Sequence, residues 1–314
     1  MIEEKKMTIK VDQTLGTRKD DLLSYFRSRG AESLQLVIRK YSEQEYKKRA
    51  KAINKAVAAT KNNVLKNIEQ AARKDKWNNS TLLRCILMTR YASDISMLEL
   101  RNKVWPYEYM AFSRRIGEIW EPFCKLCFEY PQTDIRLFVP PLFSEVRKSM
   151  VEEIETYINE LPLNDKQKPE LTKYYNKIWA LVTSGEIKLE LDLHFEHADN
   201  KFNVDFKSGF GSNEKGNTNR LLLVATIYKN IEQNYQCVLL VRSEEEQNNH
   251  YFQTLKKSGL WEAYSGKDTY KKIRDYTGFD LKEWIDNNIN WASDLEPEMV
   301  SYLQRNNLTP YLVW

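Results

Sequence analysis

The chain predicts a mixed α/β protein of α+β character, with helices flanking a mixed central sheet and a large helical region ahead of it. Three observations carry this. Residues 42–76 are rich in Ala, Lys, Glu and Gln, lack Pro and Gly, and space Ala50, Ile53, Val57, Val64, Leu65 and Ile68 at near-helical intervals. Residues 189–207 alternate apolar and polar side chains with a period of two, the pattern of a half-buried hairpin. A helix-like segment over 218–231 and a short apolar run over 237–241 follow it, as a further strand would.

Composition bounds the rest. At 314 residues the chain has length for one large domain or two modest ones. The formal net charge is only +4, so any basic surface is local. Residues 41–77 hold ten Lys or Arg against four acids, a local excess that fits either a nucleic-acid face or a solvated helix face. The N-terminus is charged, and no apolar run is long enough to cross a membrane, so no membrane is expected as a partner and the cytoplasm is the expected location. Four cysteines fit a reduced compartment. Cys124 and Cys127 form a lone CxxC with no second pair or nearby His, in a segment that reads as buried helix, so it is not read as a zinc or redox site.

The elements follow in order. Asn78, Asn79 and Ser80 interrupt the first helical pattern, and Ser80 is positioned to cap a helix over 82–91, with another short helix over 94–103. Residues 1–105 thus read as a helical region suited to DNA binding or dimerisation. Pro106 precedes a helix over 107–128, and a strand over 135–139 stops at Pro140 and Pro141. Helices over 143–160 and 169–182 form an inserted segment at about 142–182, after which Gly185 opens the first strand of the hairpin. Downstream come a polar turn over 244–249, a helix over 251–258 closed by Gly259, and two helices over 261–289 divided at Thr277 and Gly278. Tyr and Trp residues interleave there with Lys271, Lys272 and Arg274, which suits nucleic acid or, more commonly, a core. The last helix spans 297–304.

The hairpin carries the chemistry. Its first strand points Leu189, Leu191, Leu193 and Phe195 one way and Glu190, Asp192, His194 and Glu196 the other. After a turn over 197–201, Phe202, Val204 and Phe206 oppose Asn203, Asp205 and Lys207. A hairpin centred near Ala198 and Asp199, or one step later, brings Asp192 beside Asp205 and Lys207. Facing carboxylates destabilise a sheet unless neutralised, and hard oxygen ligands suit Mg²⁺, which completes its shell with water and phosphate oxygens. Such an ion with a nearby ammonium points to phosphodiester hydrolysis. Acid-x-Lys alone is weak, since it also begins at Glu3, Glu4, Glu45, Glu186, Asp199 and Asp280; only Asp205 lies on an alternating strand just after another acid-bearing one.

Asp192 on one strand, Asp205-Phe206-Lys207 on the next, then a helix and an apolar strand, resemble the PD-(D/E)xK nuclease core over roughly residues 187–242, and most of all a type II restriction endonuclease. Leu191 stands where that family often has Pro, and the second acid is Asp rather than the commoner Glu. The resemblance implies a restriction-endonuclease-like core over 106–314, Mg²⁺ as cofactor, Asp192 and Asp205 as metal ligands joined by the Phe206 carbonyl, and Lys207 assisting the attacking water. Glu190 and Glu196 share the face of Asp192 and compete with it as first acid. The helix over 107–128 resembles one that supplies an acid to the site in several such enzymes; Glu118 is the candidate, with Glu121 one turn on, against the alternative that Glu118 pairs with Arg114 or Arg115. The polar run after Lys207 places Ser208, Asn217, Asn219 and Arg220 as candidate DNA-binding residues.

The function these features imply is a prokaryotic endonuclease that cuts double-stranded DNA at a short sequence, as a homodimer beside a cognate DNA methyltransferase. A repair or junction-resolving nuclease with the same core is the second reading. A non-catalytic helical DNA-binding protein, with a hairpin that is only structural, is the third.

Overall fold

The computed structural model describes residues 8–182, 187–211, 214–231 and 234–314. Among these, twelve α-helices and five strands follow in the order α1 (Lys19–Lys40), α2 (Tyr46–Lys74), α3 (Asn79–Val104), α4 (Tyr109–Glu129), β1 (Arg136–Leu137), α5 (Phe143–Glu160), α6 (Gln167–Val182), β2 (Leu193–His197), β3 (Asn200–Lys207), α7 (Lys215–Ile231), β4 (Tyr235–Val241), α8 (His250–Lys257), β5 (Trp261–Ser265), α9 (Lys267–Thr277), α10 (Leu281–Asn288), α11 (Trp291–Asp294) and α12 (Pro297–Arg305). The protein is mixed α/β and mostly helical. None of the described helices is long and apolar enough to cross a membrane.

The chain divides into two compact units, one of residues 1–134 with 267–314 and the other of residues 135–266. The expected boundary near residue 105 therefore does not hold: α4 belongs with the N-terminal helices, and so does everything after Gly266. Asp294, 5 % exposed, shows why. Its carboxylate accepts from Lys19 Nζ at 2.9 Å and from the Tyr91 hydroxyl at 2.8 Å, and its main-chain carbonyl takes Arg27 Nη2. A second tie is Glu99, 2 % exposed, which accepts from Arg27 Nε at 3.0 Å and Nη2 at 2.6 Å and from the amide of Glu296 at 2.8 Å. Sequence separations this large leave no local trace.

In the helical unit, α2 turns Ala50, Ile53, Val57, Val64, Ile68 and Ala72 inward and leaves most of its cations on the outer face. Asn78 rather than Ser80 caps the next helix, its side chain accepting from the amide of Thr81 at 2.8 Å. The two expected helices over 82–103 are one, because nothing between Tyr91 and Asp94 breaks the backbone and the segment is packed on all sides. Gly30 lets α1 lie against α3: a Cβ there would meet Leu100 Cδ1 at 2.3 Å. Helix α4 continues through Pro122, and Cys124 and Cys127 on it are free and buried. The aromatic residues near Lys271 and Arg274 are core: Tyr270 and Tyr276 are buried, and the Trp120 indole donates to the Tyr270 hydroxyl at 2.8 Å.

The other unit is built on a five-stranded sheet in the order β1-β2-β3-β4-β5. β1-β2 and β2-β3 pair antiparallel, and β3-β4 and β4-β5 are parallel. Helix α7 makes the crossover from β3 to β4 and α8 that from β4 to β5, as parallel neighbours require. β1 has two residues where a longer strand was expected, and β5 occupies a segment read as helix. The expected opening of the first acid strand at Gly185 lies outside the described residues, and residues 187–191 are not strand.

Arg27 is 30 % exposed at its side chain and Glu99 only 2 %, so removing the arginine strands a buried carboxylate while removing the acid leaves a cation that can rehydrate. Arg27→Met is expected to destabilise the protein by about 3–4 kcal/mol, and Glu99→Gln by about 1–2 kcal/mol. Urea unfolding midpoints of the two variants would check that order.

Candidate active site

The hairpin register sets the site. Ala198 and Asp199 form a two-residue turn with φ of 47° and 61°, the left-handed pair that suits the twist of antiparallel strands. Pairing runs from His197 opposite Asn200 to Leu193 opposite Val204. One step further along, Asp192 comes level with Asp205. Its Oδ2 accepts from the amide of Phe206 at 2.8 Å, so the acid is fastened to the backbone of the neighbouring strand. In a strand the N–H and C=O of one residue point to the same edge, so the Phe206 carbonyl also faces the Asp192 side.

Asp205 is 1 % exposed. Lys207 Nζ stands 2.6 Å from its Oδ2, close enough to pair but off the hydrogen-bonding direction of that oxygen. Arg220, in the second turn of α7, brings Nη2 to 3.7 Å of the other oxygen, Oδ1. Burial pushes the Asp205 carboxyl up to about 6; the Lys207 charge opposes this, Asp192 adds to it, and Arg220 opposes it weakly. Asp192, Asp205 and Lys207 thus meet, and Arg220 joins them.

The polar face of the hairpin is not solvated. Asn203, Asp205 and Lys207 stand beside Cys237, Leu239 and Val241 of β4, whose side chains pack with Leu221, Val224 and Tyr228 of α7. His194 is 6 % exposed and makes no ligand-like arrangement. Its Nε2 accepts from the amide of Leu191 at 2.9 Å, which leaves Nδ1 as the donor to Asn203 Oδ1 at 2.7 Å. The Tyr228 hydroxyl donates to the carbonyl of Leu189 at 3.0 Å. These bonds draw residues 189–191 over α7, where Leu189 and Leu191 join the core of that face. The expected alternation from Leu189 to Phe195 therefore breaks at Asp192. No pattern in the sequence marks His194, Asn203 and Tyr228 as the supports of this bend.

That bend separates the competing acids. Glu190 is exposed and pairs with Lys188 at 3.1 Å, apart from the cluster, because its segment is not an extended strand. Glu196 lies at the turn end of β2 and pairs with Arg136 across from β1. Asp192 alone of the three reaches Phe206. Glu118 belongs to the helical unit, where Arg114 and Arg115 take its two oxygens at 2.7 and 2.8 Å, and Glu121 pairs with Lys125 at 2.6 Å. Both acids are thus engaged by cations of their own helix. Ser208 is half-buried, and its carbonyl accepts from the amide and hydroxyl of Ser243. Asn217 donates to Glu214 at 3.1 Å, and Asn219 is exposed. Of the four residues read as DNA contacts, only Arg220 touches the carboxylates.

The donor set is two carboxylates and a main-chain carbonyl, and no group of three His, Cys, Asp or Glu side chains suited to a metal occurs among the described residues. That inventory fits a hard cation that keeps several water or substrate ligands better than one needing a full protein cage. The raised carboxyl of Asp205 marks a charge the fold leaves under-compensated. No family model, curated protein or solved structure matches this chain.

The raised pKa sets a stability dependence. Between about 4 and about 6 the folded state holds the Asp205 proton that the unfolded chain releases, so this group's contribution falls as pH rises through that window and stays low above it. Asp205→Asn is expected to be more stable than the parent at pH 7.5 without metal, by about 1–3 kcal/mol, and to lose this part of the pH dependence. Thermal unfolding from pH 4 to pH 8 would check both.

Proposed function

We propose that the sheet unit carries a Mg²⁺-dependent nuclease site of the PD-(D/E)xK kind, and that the protein is a type II restriction endonuclease acting on double-stranded DNA. The observation that carries the reading is the convergence of Asp192, Asp205 and Lys207 around a buried carboxylate raised to about 6. Support also comes from the succession β2, β3, α7, β4, which is the order a restriction-endonuclease-like core requires.

Asp192 and Asp205, with the Phe206 carbonyl, would hold the ion. A bound Mg²⁺ supplies Lewis-acid polarisation of the phosphoryl group and a more acidic water. Lys207 has only donors to offer, so its ammonium orients the attacking water by its lone pairs or meets the charge that develops on a phosphoryl oxygen. Arg220 presents a planar fork of donors beside the same carboxylate, suited to holding a non-bridging phosphate oxygen. Asp192 is fixed through the Phe206 amide and through the His194 and Tyr228 ties, so it needs little reorganisation on binding. Ser208 follows the lysine directly, and α7 begins at Lys215, where the N-terminal end of a helix favours an anion. A palindromic target calls for a homodimer, and a cellular role in restriction calls for a companion methyltransferase.

A structural cluster is the alternative that the ion pairs themselves favour, because Lys207 and Arg220 both stand within pairing distance of Asp205. Plasmid digestion with and without Mg²⁺ separates the two. The expected result is discrete fragments only with Mg²⁺ and at least about a hundredfold slower cleavage by Asp205→Ala and by Lys207→Ala, with DNA binding retained. Digestion unchanged in both variants would remove these residues from the mechanism, and binding indifferent to Mg²⁺ with no cleavage would leave a DNA-binding protein.

A further inference from the structure

The helical unit carries a half-open cavity of about 210 Å³ whose polar lining comes from three helices: Asn54 and Lys61 of α2, Arg90 and Asp94 of α3, and Arg115 and Glu118 of α4. Its charges are not paired as a packed interior would pair them. Asp94 is 8 % exposed, yet among the described residues it accepts no hydrogen bond and enters no ion pair. Lys61, Arg90 and Arg115 all act on it electrostatically without reaching pairing distance. Arg90 Nε and Asn54 Oδ1 are buried with no hydrogen-bond partner. Among the described residues, Arg115 and Glu118 are the lining charges that are paired, with each other at 2.8 Å.

A buried carboxylate without partners is costly, and so are buried donors left empty. Here the helices hold two acceptors, Asp94 and Asn54 Oδ1, and two cationic groups around an open space instead of letting them close on one another. Burial raises the Asp94 carboxyl against the pull of Lys61, Arg90 and Arg115, and in its ionised form it offers the cavity an acceptor flanked by cations. The complement of such a site is an anion that also carries a proton to donate. Val57 and Met97 add an apolar wall, leaving room beyond the anion for a small organic group.

We propose that this cavity binds a phosphate group in its hydrogen form, free or as the monoester of a small alcohol, with Lys61 and Arg90 receiving the anionic oxygens and Asp94 accepting from the P–OH. The site is independent of the carboxylate cluster on the sheet. Its signature is discrimination against sulfate, which has the same shape and no proton at this pH, so its oxygens would face the Asp94 carboxylate without a hydrogen bond between them. A hydrogen bond to a charged group corresponds to roughly 10- to 100-fold in affinity.

Calorimetric titration of the full chain at pH 6.5 and fixed ionic strength, with inorganic phosphate, glycerol 3-phosphate and sulfate, tests this. Phosphate or the ester is expected to bind at least about tenfold more tightly than sulfate, and the tighter of the two identifies the source of the group. Lys61→Ala is expected to weaken the preferred ligand about tenfold. Asp94→Asn, whose amide can donate, is expected to abolish the discrimination by admitting sulfate. Equal binding of phosphate and sulfate by the unaltered protein, absence of binding, or full affinity in Lys61→Ala would each overturn the proposal, and the first two need no variant to fold.

Discussion

The two-residue turn at Ala198 and Asp199 is the constraint on which the sheet unit depends. A strand repeats every two residues, so lengthening that turn by one residue would carry Asp205 and Lys207 to the opposite face. With the turn as it is, Asp192 arrives level with Asp205, its carboxylate closes on the Phe206 amide, and β3 is left free on its other edge to pair in parallel with β4. The position of α7 follows, because a parallel neighbour needs a crossover and this one lies over the face that carries Asp205.

Burial gives the carboxylate cluster its character. An exposed ion pair between Asp205 and Lys207 would contribute little and signify little. Under α7 the same two groups meet at 2.6 Å with the acid almost wholly enclosed, and desolvation raises its carboxyl despite two nearby cations. Displaced titration of this kind is one guide to candidate sites. The bonds from the Leu191 amide to His194 and from the Tyr228 hydroxyl to the Leu189 carbonyl bend the chain ahead of Asp192. Asp94, in the helical unit, poses the same physical problem with a different solution: its neighbours are cations kept at a distance around a cavity.

Much of the local architecture was legible. The inward face of α2, the hairpin and its turn, α7, β4 and the break between α9 and α10 at Gly278, φ 73°, each follow from periodicity or turn chemistry within a short window. The pairing of Glu118 with arginines of its own helix was one of two readings that local spacing allowed. What was not legible depends on distant partners. The segment 82–103 looked like two helices because polar residues recur in it, and it is one helix because Ser96 donates to the Phe26 carbonyl and Glu99 is held by Arg27. β5 carries the weakly patterned run Trp261–Ser265 and is a strand because β4 offers it an edge. Ser208, Asn217 and Asn219 were grouped by their nearness in sequence to Lys207, and side-chain direction on α7 and its approach then separated Arg220 from them.

By itself the sequence determined where the hairpin turns and which of its residues alternate from Leu193 onward, and therefore that Asp192, just ahead of β2, comes within reach of Asp205 and Lys207 on β3. Only the tertiary structure decided that this face is covered, that Arg220 rather than Glu190 completes it, and that residues 267–314 pack with the N-terminal helices. The physical reason is that periodicity reports a residue's orientation on its own element, whereas burial and charge compensation depend on what the rest of the chain brings against it.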